Sequence, residues 1–223
     1  MEIAAQRNRY AALFLLGISP FLVNGAINPV IARYPWIFWS FEVLTWVFLP
    51  LAIFGIALRQ LGLRAEEMGL HARIRGRPNV GFLLVLCVLI APLFLIIYNT
   101  SRAAFLSIFP DAPFFAYQSI VPESGAMRFV AILHLSITAG VVEELYFRGL
   151  FFKISCFFPA QAAVYVFGSA TFFALIHWEG GLSNVGATFI VGIITAVLYL
   201  LIRNLWPLII GHAYTDYVWM QIT

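Results

Sequence analysis

Apolar residues run through this chain in long blocks rather than alternating with polar ones. Near-continuous stretches cover about residues 10–27, 36–58, 80–98, 159–178, 183–202 and 205 to the carboxyl end, and another begins near Arg128. A helix needs about 20 apolar residues to cross the hydrocarbon layer, and only helices or closed barrels cross it with every backbone group paired. The pattern therefore predicts an all-α fold, a polytopic transmembrane bundle of about seven spans. Pro20 predicts a kink in the first. That first block, preceded by Arg7 and Arg9, has some features of a signal sequence. Only Val23-Asn24-Gly25 resembles a cleavage site, and every later block is also membrane-like, so it is read as a span. Residues 101–126 break the pattern, mixing aromatic side chains with Pro110, Pro113 and Pro122, and are expected to lie at the outer surface.

Composition agrees with a membrane setting. Of 223 residues 62% are hydrophobic and 10% charged, where soluble domains carry about 25% charged residues. No linker, charge block or repeat divides the chain, so residues 1–223 are expected to form one integral membrane domain. The formal charge of +3 is no sign of nucleic-acid binding, because the basic residues sit at helix ends and in one loop. Cys87 and Cys156 are too far apart in sequence to imply a disulfide framework or a thiolate metal site.

Orientation follows from the arginines. Residues 59–79 form the markedly polar loop, with Arg59, Arg64, Arg73, Arg75 and Arg77. Basic loops stay inside, which makes this loop cytoplasmic and, one hairpin earlier, the amino terminus also. Only Arg33, Arg102 and Arg128 then fall outside. The expected location is the cell (inner) membrane, with several passes. Glu42, within about two turns of the start of the second span, is expected near the headgroups.

The costly residues come late. Glu143 and Glu144 lie inside an apolar block, where an ionised side chain costs on the order of 3 kcal/mol on insertion scales. Arg148, four residues after Glu144, shares its face one turn on and should brace it. Glu143 points about 100° away and has no cation at helical spacing, which leaves it for chemistry. His177 closes the fifth span, and His212 in the last is followed one turn later by Asp216. His71, in the loop, and His134, on the opposite face from Glu143, are not candidates. On these boundaries His177 sits at a different depth from Glu143 and His212. The three meet only if the fourth helix reaches about Cys156 and the fifth is short or tilted.

Glu143-Glu144-x-x-x-Arg148, Phe173-x-x-x-His177 and His212-x-x-x-Asp216, in this order on successive helices, resemble the motifs of the CAAX-protease and bacteriocin-processing family of intramembrane endopeptidases. The resemblance covers about residues 125–217. It implies a cavity formed by the last four helices, open to the membrane, in which a glutamate-activated water attacks a peptide bond. By that resemblance Glu143 is the base and His177 its catalytic partner, with Glu144, Arg148 and Phe173 supporting. His212 and Asp216 would stabilise the oxyanion. The commonest form of the last motif has asparagine where this chain has Asp216. A charged Asp216 cannot donate a hydrogen bond, so either it is neutral and donates or it is charged and orients His212.

Peptide hydrolysis needs a base for water, a donor for the oxyanion and an acid for the leaving amine, and this set supplies all three without a covalent intermediate. Two His and a carboxylate also suit zinc, but no H-E-x-x-H occurs, so no cofactor is expected and zinc is the alternative. No G-x-S-x-G elbow supports a serine mechanism. The expected partners are the lipid bilayer and a membrane-anchored, prenylated or otherwise lipidated protein or peptide substrate. A proton or cation transporter, or an immunity or scaffold protein, would use the same buried groups differently.

Overall fold

A computed structural model describes residues 2–74, 77–110 and 112–222; Arg75 of the basic loop lies outside them. The described chain is all-helical apart from a two-residue antiparallel pairing of β1 (Arg73–Ile74) with β2 (Arg77–Pro78). Among the described residues seven helices match the seven apolar blocks. They are α1 (Glu2–Ile31), α2 (Pro35–Leu61), α3 (Val80–Leu106), α4 (Gly125–Ser155), α5 (Gln161–Leu175), α6 (Gly181–Ile202) and α7 (Trp206–Ile222). The first four, and α6 with the turn before it, are long and apolar enough to cross a membrane; α5 is a shorter apolar helix. α1 is helical through Pro20 and Pro29, and α3 continues well past Tyr98 into the stretch expected at the outer surface. The remainder of that stretch is irregular, with one 3-10 turn at Tyr117–Ile120.

Two helices contain wide turns. Leu44–Phe48 in α2 and Glu144–Leu150 in α4 are π-helical. In α2 the wide turn comes just before Pro50, which has no N–H to continue the ladder. In α4 it begins at Glu144, and α5 caps the carbonyls of the wide turn. Ser169 donates to the Phe147 carbonyl at 2.7 Å and Tyr165 to the Arg148 carbonyl at 3.4 Å. Single π segments inside α-helices are frequent at functional sites.

Close approach of α4 and α7 depends on Gly140. A Cβ there would come within 2.9 Å of the Ile209 carbonyl oxygen and 3.0 Å of the Ala213 side chain. Small residues let membrane helices pack backbone to backbone. Here they bring His212, between Ile209 and Ala213, against the turn that follows Gly140.

The polar loop folds back onto one end of the helices. Tyr199 donates to the Met68 carbonyl at 3.0 Å, and the Asn204 amide to the carbonyls of His71 and Arg73 at 2.6 and 3.0 Å. The Leu205 N–H donates to the Gly69 carbonyl at 3.0 Å. Glu67 joins Lys153 at 3.0 Å and Arg64 at 3.1 Å, and these hydrogen bonds hold its carboxyl below the usual range. A docked loop of this kind closes one end of the bundle.

Candidate active site

Residues scattered over seventy positions of sequence meet around Glu143. α4 carries Glu143, Glu144 and Arg148; the turn after α5 carries His177; α7 carries His212 and Asp216. The depth mismatch expected from sequence is resolved because α4 runs to Ser155 and α5 has only 15 residues.

Glu144 is fixed from two sides. Its Oε2 lies 3.2 Å from Arg148 Nε, both side chains being fully buried, and its Oε1 lies 2.9 Å from His212 Nδ1. A carboxylate paired with arginine is an acceptor, so Nδ1 of His212 carries the hydrogen. This leaves the other edge of the ring, Nε2, towards Glu143 Oε2 at 4.0 Å and Asp216 Oδ2 at 3.6 Å. The brace of Glu144 by Arg148 was legible at i, i+4; the hold of Glu144 on His212 was not.

Arg148 is itself enclosed. Its Nε donates to Thr195 Oγ1 at 3.0 Å, its Nη2 also reaches that hydroxyl, and its guanidinium lies 4.2 Å from the centre of the Phe173 ring. The same ring lies 4.8 Å from His177 and 5.8 Å from His212, so Phe173 packs against the cation and both imidazoles. His177 donates through Nδ1 to the Phe173 carbonyl at 2.7 Å, since a carbonyl only accepts. Its Nε2 then carries the lone pair and lies 3.8 Å from Glu143 Oε2. Glu143 Oε2 is buried with no hydrogen-bond partner.

Glu143, Glu144, Phe173, His177, His212 and Asp216 line a cavity of about 400 Å³. α2 and α3 complete its wall with Trp46, Phe94 and Tyr98, and residues 113–118 contribute at one end. Glu42 also lines it, 1% exposed. Its place near the start of α2 is as expected, but the side chain points into the protein rather than to the headgroups. Glu179, which sequence reasoning passed over, lines it too. Position alone in each helix could not reveal the direction of either. His71 is held at Asn204 and His134 lies beside Trp39, both away from the cluster. Among the described residues no three His, Cys, Asp or Glu side chains are grouped to hold a metal ion.

Residues 125–218 match a sequence model of the family described as type II CAAX prenyl endopeptidase, Rce1-like. This region belongs to the Rce1-like family. The match spans Glu143, Glu144, Arg148, Phe173, His177, His212 and Asp216. The match supports a CAAX-type endopeptidase, a peptide hydrolase, and together with the several apolar helices it supports an integral multi-pass membrane protein. No curated protein and no solved structure matches it.

Proposed function

We propose that the chain, as one domain, hydrolyses a peptide bond of a lipid-anchored or prenylated protein or peptide, with Glu143 taking a proton from the attacking water. The observation that carries this reading is Glu143 Oε2, buried, without a hydrogen-bond partner, and facing the Nε2 atoms of both His177 and His212. Water held by Glu143 forms the new C–O bond as its proton passes to the carboxylate. In its charged form His212 keeps its Nδ1–H on Glu144 and donates through Nε2–H to the developing oxyanion. The C–N bond then breaks, and the proton passes from Glu143, or through the His177 lone pair, to the leaving amine. Removing the acceptor with Glu143→Gln therefore removes the activity.

Asp216 acts as a neutral donor to the oxyanion in this scheme, since Glu144 already orients the His212 ring. Asp216→Asn is expected to keep most of the rate and extend it to higher pH, because an amide donates at every pH while an acid stops once ionised. A pH-rate profile of both proteins checks it. A large loss at every pH would instead make Asp216 an anion that holds His212, the role of the aspartate in a Ser-His-Asp triad, whose replacement by asparagine costs about 10⁴-fold.

The reaction needs no metal in this reading. Exhaustive chelation and dialysis are expected to leave turnover intact, with no stoichiometric zinc in the purified protein. Activity lost to chelation and restored by zinc would turn His177 and His212 into ligands.

Orientation in the cell membrane follows from the docked arginine loop at one end of the bundle and residues 113–118 of the cavity at the other. With the loop and amino terminus cytoplasmic, the substrate enters from the outer half of the membrane. In protein freed of Cys87 and Cys156, an impermeant maleimide applied to intact cells should label Ser119→Cys and spare Arg64→Cys. The reverse pattern inverts the orientation.

A further inference from the structure

The cavity contains a second pair of carboxyl groups that hydrolysis does not use. Glu42 and Glu179 are 1% and 8% exposed and both line its wall. Residues 114–117 join their surroundings. The N–H groups of Phe114 and Phe115 donate to the Glu179 carbonyl at 2.6 and 3.3 Å. The rings of Phe115 and Tyr117 pack 6.0 and 6.4 Å from Phe38, one turn before Glu42.

Neither is satisfied. Oε2 of Glu42 and Oε2 of Glu179 are buried without a hydrogen-bond partner. So is Oδ1 of Asn28, whose amide nitrogen donates to the Tyr117 hydroxyl at 3.1 Å. Buried acceptors without donors are costly and uncommon in native proteins. The complement to the two carboxyl oxygens in the cavity wall is a group that only donates, which excludes anions and apolar chains. The Phe115 and Tyr117 rings suit an organic cation, whereas hard metal ions seek about six or more oxygen ligands.

We propose that Glu42 and Glu179, with the Tyr117 ring, form a subsite for the ammonium or guanidinium group of a lysine or arginine side chain in the peptide, and so select substrates with a basic residue near the cleaved bond. The selection of substrates rests on the peptidase reading; the binding of a cation does not.

Hexylammonium and hexylguanidinium, titrated into detergent-solubilised Glu143→Gln protein, report on the subsite through tryptophan fluorescence, Trp46 being in the cavity wall. Both should bind saturably, hexanol should not, and Glu42→Gln or Glu179→Gln added to Glu143→Gln should weaken binding at least about tenfold. Both glutamines are near-isosteric, and unchanged melting establishes that the variants are folded; Glu42→Met serves if Glu42→Gln is not. With a Lys/norleucine pair of otherwise identical lipid-anchored peptides, the parent should favour the lysine peptide in kcat/KM by about tenfold, and either variant in the Glu143 background should erase that preference. Equal titrations in all proteins, or competition by sodium or calcium as strong as by hexylammonium, would overturn the proposal. Saturable hexylammonium binding with neither peptide cut supports the subsite and removes the peptidase reading.

Discussion

Arg148→Ala is expected to melt well below the parent protein and to lose activity. The guanidinium is fully buried between Glu144, Thr195 and Phe173, and its removal strands Glu144 in an apolar interior with only His212 as partner. Removing one partner of a buried ion pair costs about 3–5 kcal/mol, chiefly through the charge left behind. For a chain of this length that is a drop of about 6–20 °C in melting temperature. Activity falls with it, because Glu144 fixes the ring of His212 and hence the edge that faces Glu143. Thermal unfolding in detergent separates pairing from simple loss of contact. Adding Glu144→Gln removes the stranded charge, so the double variant should recover part of the loss. If the single and double variants melt alike, the two residues are not coupled.

The helices and the principal cluster were legible because both depend on local spacing. Blocks of apolar residues mark membrane helices whatever their neighbours, and the i, i+4 relation of Glu144 to Arg148 follows from one helix alone. Relations between helices were not legible. That Glu144 holds His212 depends on how closely α7 approaches α4, which rests on Gly140, and no periodicity reports it. The inward direction of Glu42 is set by the contacts of α2 with residues 114–117, not by its depth. Glu179 drew no notice because a single acid after Trp178 reads as a surface turn, whereas its carboxyl is turned into the cavity. The π turns at 44–48 and 144–150 also lie beyond a pattern scaled to 3.6 residues per turn. The wide turn at Glu144 is supported by hydroxyls of Tyr165 and Ser169, so its cause is in another helix.

Glu143→Gln bears on the central claim most directly. The amide fills the same space, so nothing in the fold needs to move, and the buried Oε2 that lacks a partner in the parent is replaced by a neutral group. It cannot accept the proton of water, and general-base catalysis is worth about 10²–10⁴-fold. The measurement is cleavage of a lipid-anchored peptide by parent and Glu143→Gln proteins reconstituted in liposomes, each first shown by thermal unfolding to be folded. Turnover should fall by at least about 10²-fold in the variant while melting stays at or above that of the parent. Turnover near the parent rate in folded Glu143→Gln protein would contradict the assignment of Glu143 as the base.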